Sequence, residues 1–233
     1  MNTEALELFE SASLAHGGHS TRGENLCAME WAAYLAGEEH TDHPPCVSPV
    51  IAAFVRRWND DLNDDARNQL LKPMIPKLLE TASAPEVEEA RAFMAADWMV
   101  RKYLPAWLDL TPSLAKHAAT MRALPTITDS ATWLAVEDPV RAAGAAAWAA
   151  ARAAAWAAAR DAAGDAAWDA AWDAAGAAAR AAAWDAARAA AWDAARAAAR
   201  AAARDAAWDA LTPTVVALQT SAVGLLRRMI EAK

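Results

Sequence analysis

Apolar residues along this chain recur at helical spacing. No segment alternates apolar and polar positions cleanly, and β-branched residues never cluster for long, so the pattern predicts an all-α chain. Asn2 or Thr3 caps a first helix running to about Ala15, and His16-Gly17-Gly18-His19 breaks it. A second helix is expected from Glu24 to Ala36, with Leu26, Met29, Ala33 and Leu35 on its apolar face and Gly37 as its stop. The segment EEHTDHPPCVSP, residues 38–49, holds three prolines and reads as a loop. Ser48-Pro49 has the form of an N-cap followed by proline at the first helical position. The helix after it should bury Ile51, Phe54, Val55 and Trp58. Asp64 caps a further helix that Pro73 and Pro76 must kink or split. Ala84-Pro85 opens a helix to about Trp107, Ser113 to Ala123 forms a shorter one, and Thr126 to Asp138 is a connection. After Thr212-Pro213 comes an apolar final helix, expected to pack back on the N-terminal half.

Between these elements lies a different pattern. From Gly144 to Trp208 every position divisible by four is Trp, Arg or Gly, the next is Asp or Ala, and the other two are always Ala. Alanine has the highest helix propensity, so these residues should be helical. A helix turns about 100° per residue, so each tetrad carries the marked stripe about 40° further round. A supercoil needs a period near 3.5, or about 3.67 for the right-handed kind. A period of four holds neither face, which leaves broken helices or a long helix covered on several sides. Gly144, Gly164 and Gly176 are the expected breaks, each costing about 1 kcal/mol against alanine. The overall expectation is an all-α multi-helix bundle whose Ala/Trp helices break into packed segments. Its parts would be an N-terminal helical domain, 1–136, the repeat, 137–211, and the last helix, 212–233.

Seven of the twelve tryptophans sit in the repeat: Trp148, Trp156, Trp168, Trp172, Trp184, Trp192 and Trp208. Left exposed they would make a large sticky surface, so they should be interaction residues, buried in the fold or in an oligomer. The codons of Trp, Arg and Gly can all end in GG, so slippage of a twelve-base DNA repeat would also write this pattern. Stacking of nucleic-acid bases on interleaved Trp and Arg is opposed by the matched aspartates.

Charge points the same way. The formal net charge is −8, and residues 1–136 carry 19 acids against 11 bases, a poor footprint for a phosphate backbone. No charge-free apolar run reaches membrane-spanning length. The acidic start, MNTEALELFE, lacks a signal-peptide pattern. Two cysteines, Cys27 and Cys46, indicate no disulfide framework. A cytoplasmic protein is expected, with no membrane and no nucleic-acid partner.

The concentrated chemistry lies early. His16, His19, Cys27, His40, His43 and Cys46 fall within thirty-one residues. Cys27, His43 and Cys46, with His40 or Glu30 as the fourth group, would make a zinc ligand set. Against it, buried cysteines often serve as small hydrophobes. Cys27-Ala-Met-Glu30 with Pro45-Cys46 approaches a zinc deaminase pattern but misses its spacing twice. Asp61 to Asp65 imitates an EF-hand start, yet Ala66 and Lys72 replace the required Gly and Glu. A Cys27–His43 nucleophile pair has nothing to favour it over packing.

The motifs C-x-M-E, D-H-P-x-C, P-V-I-x-x-F and W-N-D, across residues 24–108, resemble an uncharacterised bacterial and phage family. The resemblance implies a shared helical core on which Cys27, Glu30, Asp42, His43, Cys46, Trp58, Asn59 and Asp60 match, and no known activity. The expected function is a non-enzymatic helical protein that forms a homo-oligomer or binds a protein partner through Ala/Trp contacts. The alternatives are a small zinc-dependent enzyme and a sequestering protein with Trp-lined clefts.

Overall fold

A computed structural model describes residues 2–21, 25–176 and 209–233, with side chains described to residue 153 and again from residue 209. The described chain is all-α, and its extended pairing is one isolated parallel bridge between Leu14 and Leu26. Helix α1 spans Thr3–Ser11, capped by the Asn2 side chain, which accepts the Ala5 N–H. Helix α2 spans Ala28–Ala36 and ends on Gly37 at φ 77°, a left-handed conformation that glycine adopts without strain. Both helices are shorter than the apolar pattern predicts. The bridge pairs Leu14 with Leu26 outside both helices, after the end of α1 and before the start of α2.

Helix α3, Pro49–Asp61, begins as its sequence predicts: Ser48 Oγ accepts the Ile51 N–H and Pro49 occupies the first turn. Helix α4, Asp64–Ala66, is capped by Asn63 rather than Asp64. It runs into a π turn, Arg67–Leu71, and a 3₁₀ segment, Lys72–Lys77. That change of winding is the answer to Pro73 and Pro76, which lack the amide protons an α-helix needs. Helix α5, Pro85–Trp98, passes through a second π turn, Met99–Tyr103, into α6, Leu104–Leu108. Helix α7 is Ala115–Ala123.

Helix α8 runs from Ser130 to Gly176, 47 residues without interruption. At about 1.5 Å per residue it is ~70 Å long. Two expectations change here. The stretch after Asp129 is helix, because Asp129 accepts the Thr132 N–H as an N-cap. Gly144 and Gly164 do not break the helix: the alanines on either side outweigh a cost of about 1 kcal/mol per glycine. Whether the helix divides beyond Gly176 lies outside the described residues. Helix α9, 209–231, completes the described chain.

One core joins α1, α2, α3, the 3₁₀ segment and α9, through Phe9, Met29, Leu35, Ile51, Ile75, Leu226 and Met229. A smaller core joins α6, α7 and the start of α8 through Val100, Met121, Ile127 and Val136. Two buried arginines join segments around the larger core. Arg91 donates to the carbonyls of Thr81, Met229 and Ala232 and to Glu88. Arg67 donates to the carbonyls of Leu14, Asn59 and Leu62 and to Asp64. Trp98 Nε1 donates to Ser221 Oγ at 2.8 Å. No described helix is long and apolar enough to cross a membrane.

Candidate functional site

The histidine-rich segment folds around one carboxylate. Glu30 occupies the N3 position of α2, and Cys27 is its N-cap, so C-x-x-E has the spacing of a capping box with a thiol in place of the usual hydroxyl. Glu30 Oε2 accepts the Cys27 N–H at 2.8 Å and lies 2.8 Å from His19 Nδ1. Glu30 Oε1 accepts the His19 N–H at 2.5 Å. His40 Nε2 donates to the His19 carbonyl at 2.8 Å and stands 3.7 Å from Glu30 Oε1. The carboxylate is 1% exposed. Burial alone would raise its pKa; the Cys27 and His19 amides and the His19 ring outweigh that and hold it below its ordinary 4.5.

Beside this cluster lies a narrow cleft with about 30 Å³ of open room, enough for a water or two. Gly17, Gly18, Cys27, Asp42, Arg56, Asn59 and Asp60 line it. Gly17 adopts φ 76° and donates its N–H to Asp60 Oδ1 at 2.8 Å. Asn59 spans the floor: its amide nitrogen donates to the Ala15 carbonyl and its oxygen accepts the Ala28 N–H. Burial pushes Asp60 up, but the Gly17 amide and the Asn59 side chain more than offset it, and its pKa falls below the usual value. Arg56 donates to the Asp42 carbonyl at 2.9 Å.

The sequence-predicted ligands go to different places. Cys27 faces the cleft, but burial above all, and then the Glu30 charge, pushes its thiol up to about 12. Cys46 packs on the main core, its N–H held by Glu38 Oε1, and burial pushes its thiol up to about 11. His43 is exposed and its Nδ1 is 2.6 Å from Asp42 Oδ1. His40 and Glu30 are bonded as above. Among the described residues, no three His, Cys, Asp or Glu side chains gather so as to hold a metal ion. The set Cys27, His43, Cys46 with His40 or Glu30 is therefore not brought together. The physical reason is that the capping box and His19 take up the Glu30 carboxylate, His40 bonds the His19 carbonyl, and His43 is exposed against Asp42. A Cys27–His43 nucleophile pair fails likewise, since a thiol at about 12 stays protonated near neutrality.

Sequence reasoning missed His19 as the partner of Glu30, and Gly17 and Arg56 as cleft residues. The signals were present: the His-Gly-Gly-His turn at residues 16–19, and a glutamate three residues after Cys27.

Trp148 is the repeat tryptophan among the described side chains. Residues 136, 140, 143, 147 and 150 of α8 form a helical face against the smaller core, with Val136 and Ala143 buried. The fourfold stripe begins on that face and leaves it. Val136 is buried, Val140 half-buried, Gly144 exposed, and Trp148 is 69% exposed. Twelve residues at about 100° each bring Trp148 about 120° round from Val136. Trp156, Trp168, Trp172, Trp184, Trp192 and Trp208 lie outside the described side chains. No family profile, curated protein or solved structure matches the chain.

Proposed function

We propose that this chain is a non-enzymatic assembly protein whose Ala/Trp helix is the contact element and whose most immediate partner is a second copy. The observation that carries the reading is Trp148, 69% exposed on a helix surface made mostly of alanine. A large aromatic flanked by small side chains lets another surface approach closely and bury much apolar area. The histidine–carboxylate cluster supports the same reading by what it does. Its carboxylate is consumed in holding the residue 16–19 turn onto α2, a structural task. The zinc-enzyme alternative draws less support, because no three of its His, Cys or carboxylate side chains gather to hold a metal ion among the described residues. Sequestering clefts would have to be built from tryptophans outside the described side chains.

Sedimentation velocity across a hundredfold concentration range tests the proposal. A defined oligomer with tryptophan emission that shifts to the blue on association is expected. A monomer throughout would overturn it. Elemental analysis of the same preparation separates the zinc alternative, which requires stoichiometric metal.

A further inference from the structure

Trp148 leaves one question: what receives it. The described surface offers one apolar hollow. Ala66 of α4 and Leu211, Val215 and Val216 of α9 enclose about 150 Å³, with Asn63, Thr212 and Gln219 at its edge. Cavities of about this size accept a six-membered aromatic ring. Val216 is 53% exposed, so the apolar lining continues onto the open surface. Within one chain Trp148 does not fill this hollow, since it is 69% exposed.

Charge decides what kind of surface can approach. Beside the hollow's edge at Asn63 lie Asp61, Asp64 and Asp65, the first two paired with Arg57 and Arg67, and Asp209 lies one helical turn before Thr212. Asp64, Asp65 and Asp209 are exposed. Around Trp148, Arg141 is paired with Glu137 and Asp138, which leaves Arg152 as the described cation beside the ring. Arg152 is exposed and stands one turn beyond Trp148, on the same side of the helix. An aromatic knob beside a cation therefore faces an apolar hole with an acidic rim. Complementary potentials of this kind fix register and disfavour other pairings.

We propose that Trp148 of one copy seats in the hollow between α4 and α9 of a second copy, with Arg152 meeting the aspartates of its rim. This rests on the assembly reading above and names the contact. Knob and hole are different surfaces of the same chain. One such contact is therefore heterologous and leaves a free knob and a free hole, which either close into a ring or propagate.

The test uses the full-length chain, with circular dichroism confirming that each variant folds. Trp148→Ala should weaken self-association about 30-fold, the loss of an interface hot spot. Val216→Glu, at an exposed position, should weaken it comparably, and the two together little more than either alone. Arg152→Asp should weaken it less, and adding Asp65→Arg should recover part of the loss. Wild-type chain that stays monomeric would overturn the assembly reading and this contact with it. Wild-type oligomers that Trp148→Ala leaves unchanged would overturn this contact alone. Sensitivity to Val216→Glu without sensitivity to Trp148→Ala would also overturn it, assigning the hollow to another segment.

Discussion

The two ends of this molecule solve the burial of polar groups in opposite ways. The N-terminal body puts Glu30, Asn59, Arg67 and Arg91 in its interior and satisfies each with several bonds. Helix α8 avoids the problem: around the start of the repeat its described side chains are mostly alanine, and Arg141 and Arg152 are exposed. A buried, fully bonded group specifies one arrangement, because every alternative strands it. An alanine surface specifies helix but not neighbours. The body therefore has a defined interior, while the described start of α8 beyond its packed face shows mostly alanine with Trp148 exposed.

Arginine substitutions give the sharpest test of that contrast. Arg91→Ala strands the carbonyls of Thr81, Met229 and Ala232 and leaves Glu88 without its ion-pair partner. Removing one member of such a buried set costs about 3–5 kcal/mol. Urea denaturation should show that loss, and hydrogen exchange should show α9 opening first. Arg152→Ala on α8 should change the stability of the monomer by no more than about 0.5 kcal/mol. Equal effects at the two sites would erase the distinction.

Glu30 comes next. Glu30→Ala leaves the Cys27 and His19 amides without their acceptor, at a cost of about 2–3 kcal/mol. The pH dependence has a definite sign. The folded carboxyl has its pKa below the ordinary 4.5, so the unfolded chain binds its proton first. Its contribution is complete above about 4.5, shrinks as pH falls through that value, and disappears below the folded pKa. Stability measured from pH 7 down to 3 should therefore converge for wild type and Glu30→Gln. A gap that stayed constant on acidification would remove the carboxylate from the explanation.

Labelling is a milder probe of the same interior. At pH 8 a folded thiol with a pKa of about 12 has on the order of a ten-thousandth of its population ionised. Iodoacetamide should modify Cys27 only as fast as the body opens, and Glu30→Ala should speed that reaction. Prompt modification of Cys27 in native wild-type protein would contradict its place behind the cleft.

What could be read from residues alone follows the same division. Ser48-Pro49 was legible because a cap hydroxyl and an N1 proline act within four residues. The prolines at 73 and 76 announced a change of winding, though not that π and 3₁₀ turns would supply it. The start of α2 was missed because its cap is a cysteine and because Leu26 is held by Leu14, a contact no local pattern shows. The scatter of the candidate zinc ligands was also out of reach, since spacing in sequence does not say which residues a proline loop turns inward. In the repeat, the arithmetic of a fourfold period foresaw the rotation that exposes Trp148. It did not foresee that the glycines would be carried within one helix.

Those glycines allow the finest test, with one substitution of opposite sign in the two regions. Gly144 is exposed, and an added Cβ would meet nothing within 4 Å. Gly144→Ala should therefore stabilise α8 by about 1 kcal/mol. Gly37 also has room for a Cβ, but its φ of 77° penalises any L side chain. Gly37→Ala should destabilise the body by about 1 kcal/mol. The pair also reports how the regions are coupled. The penalty at Gly37 should appear in the global urea midpoint. If α8 opens on its own beyond its packed first turns, the gain at Gly144 should appear only in the exchange of α8 amides. A full shift of the global midpoint by Gly144→Ala would instead make α8 part of one cooperative unit with the body.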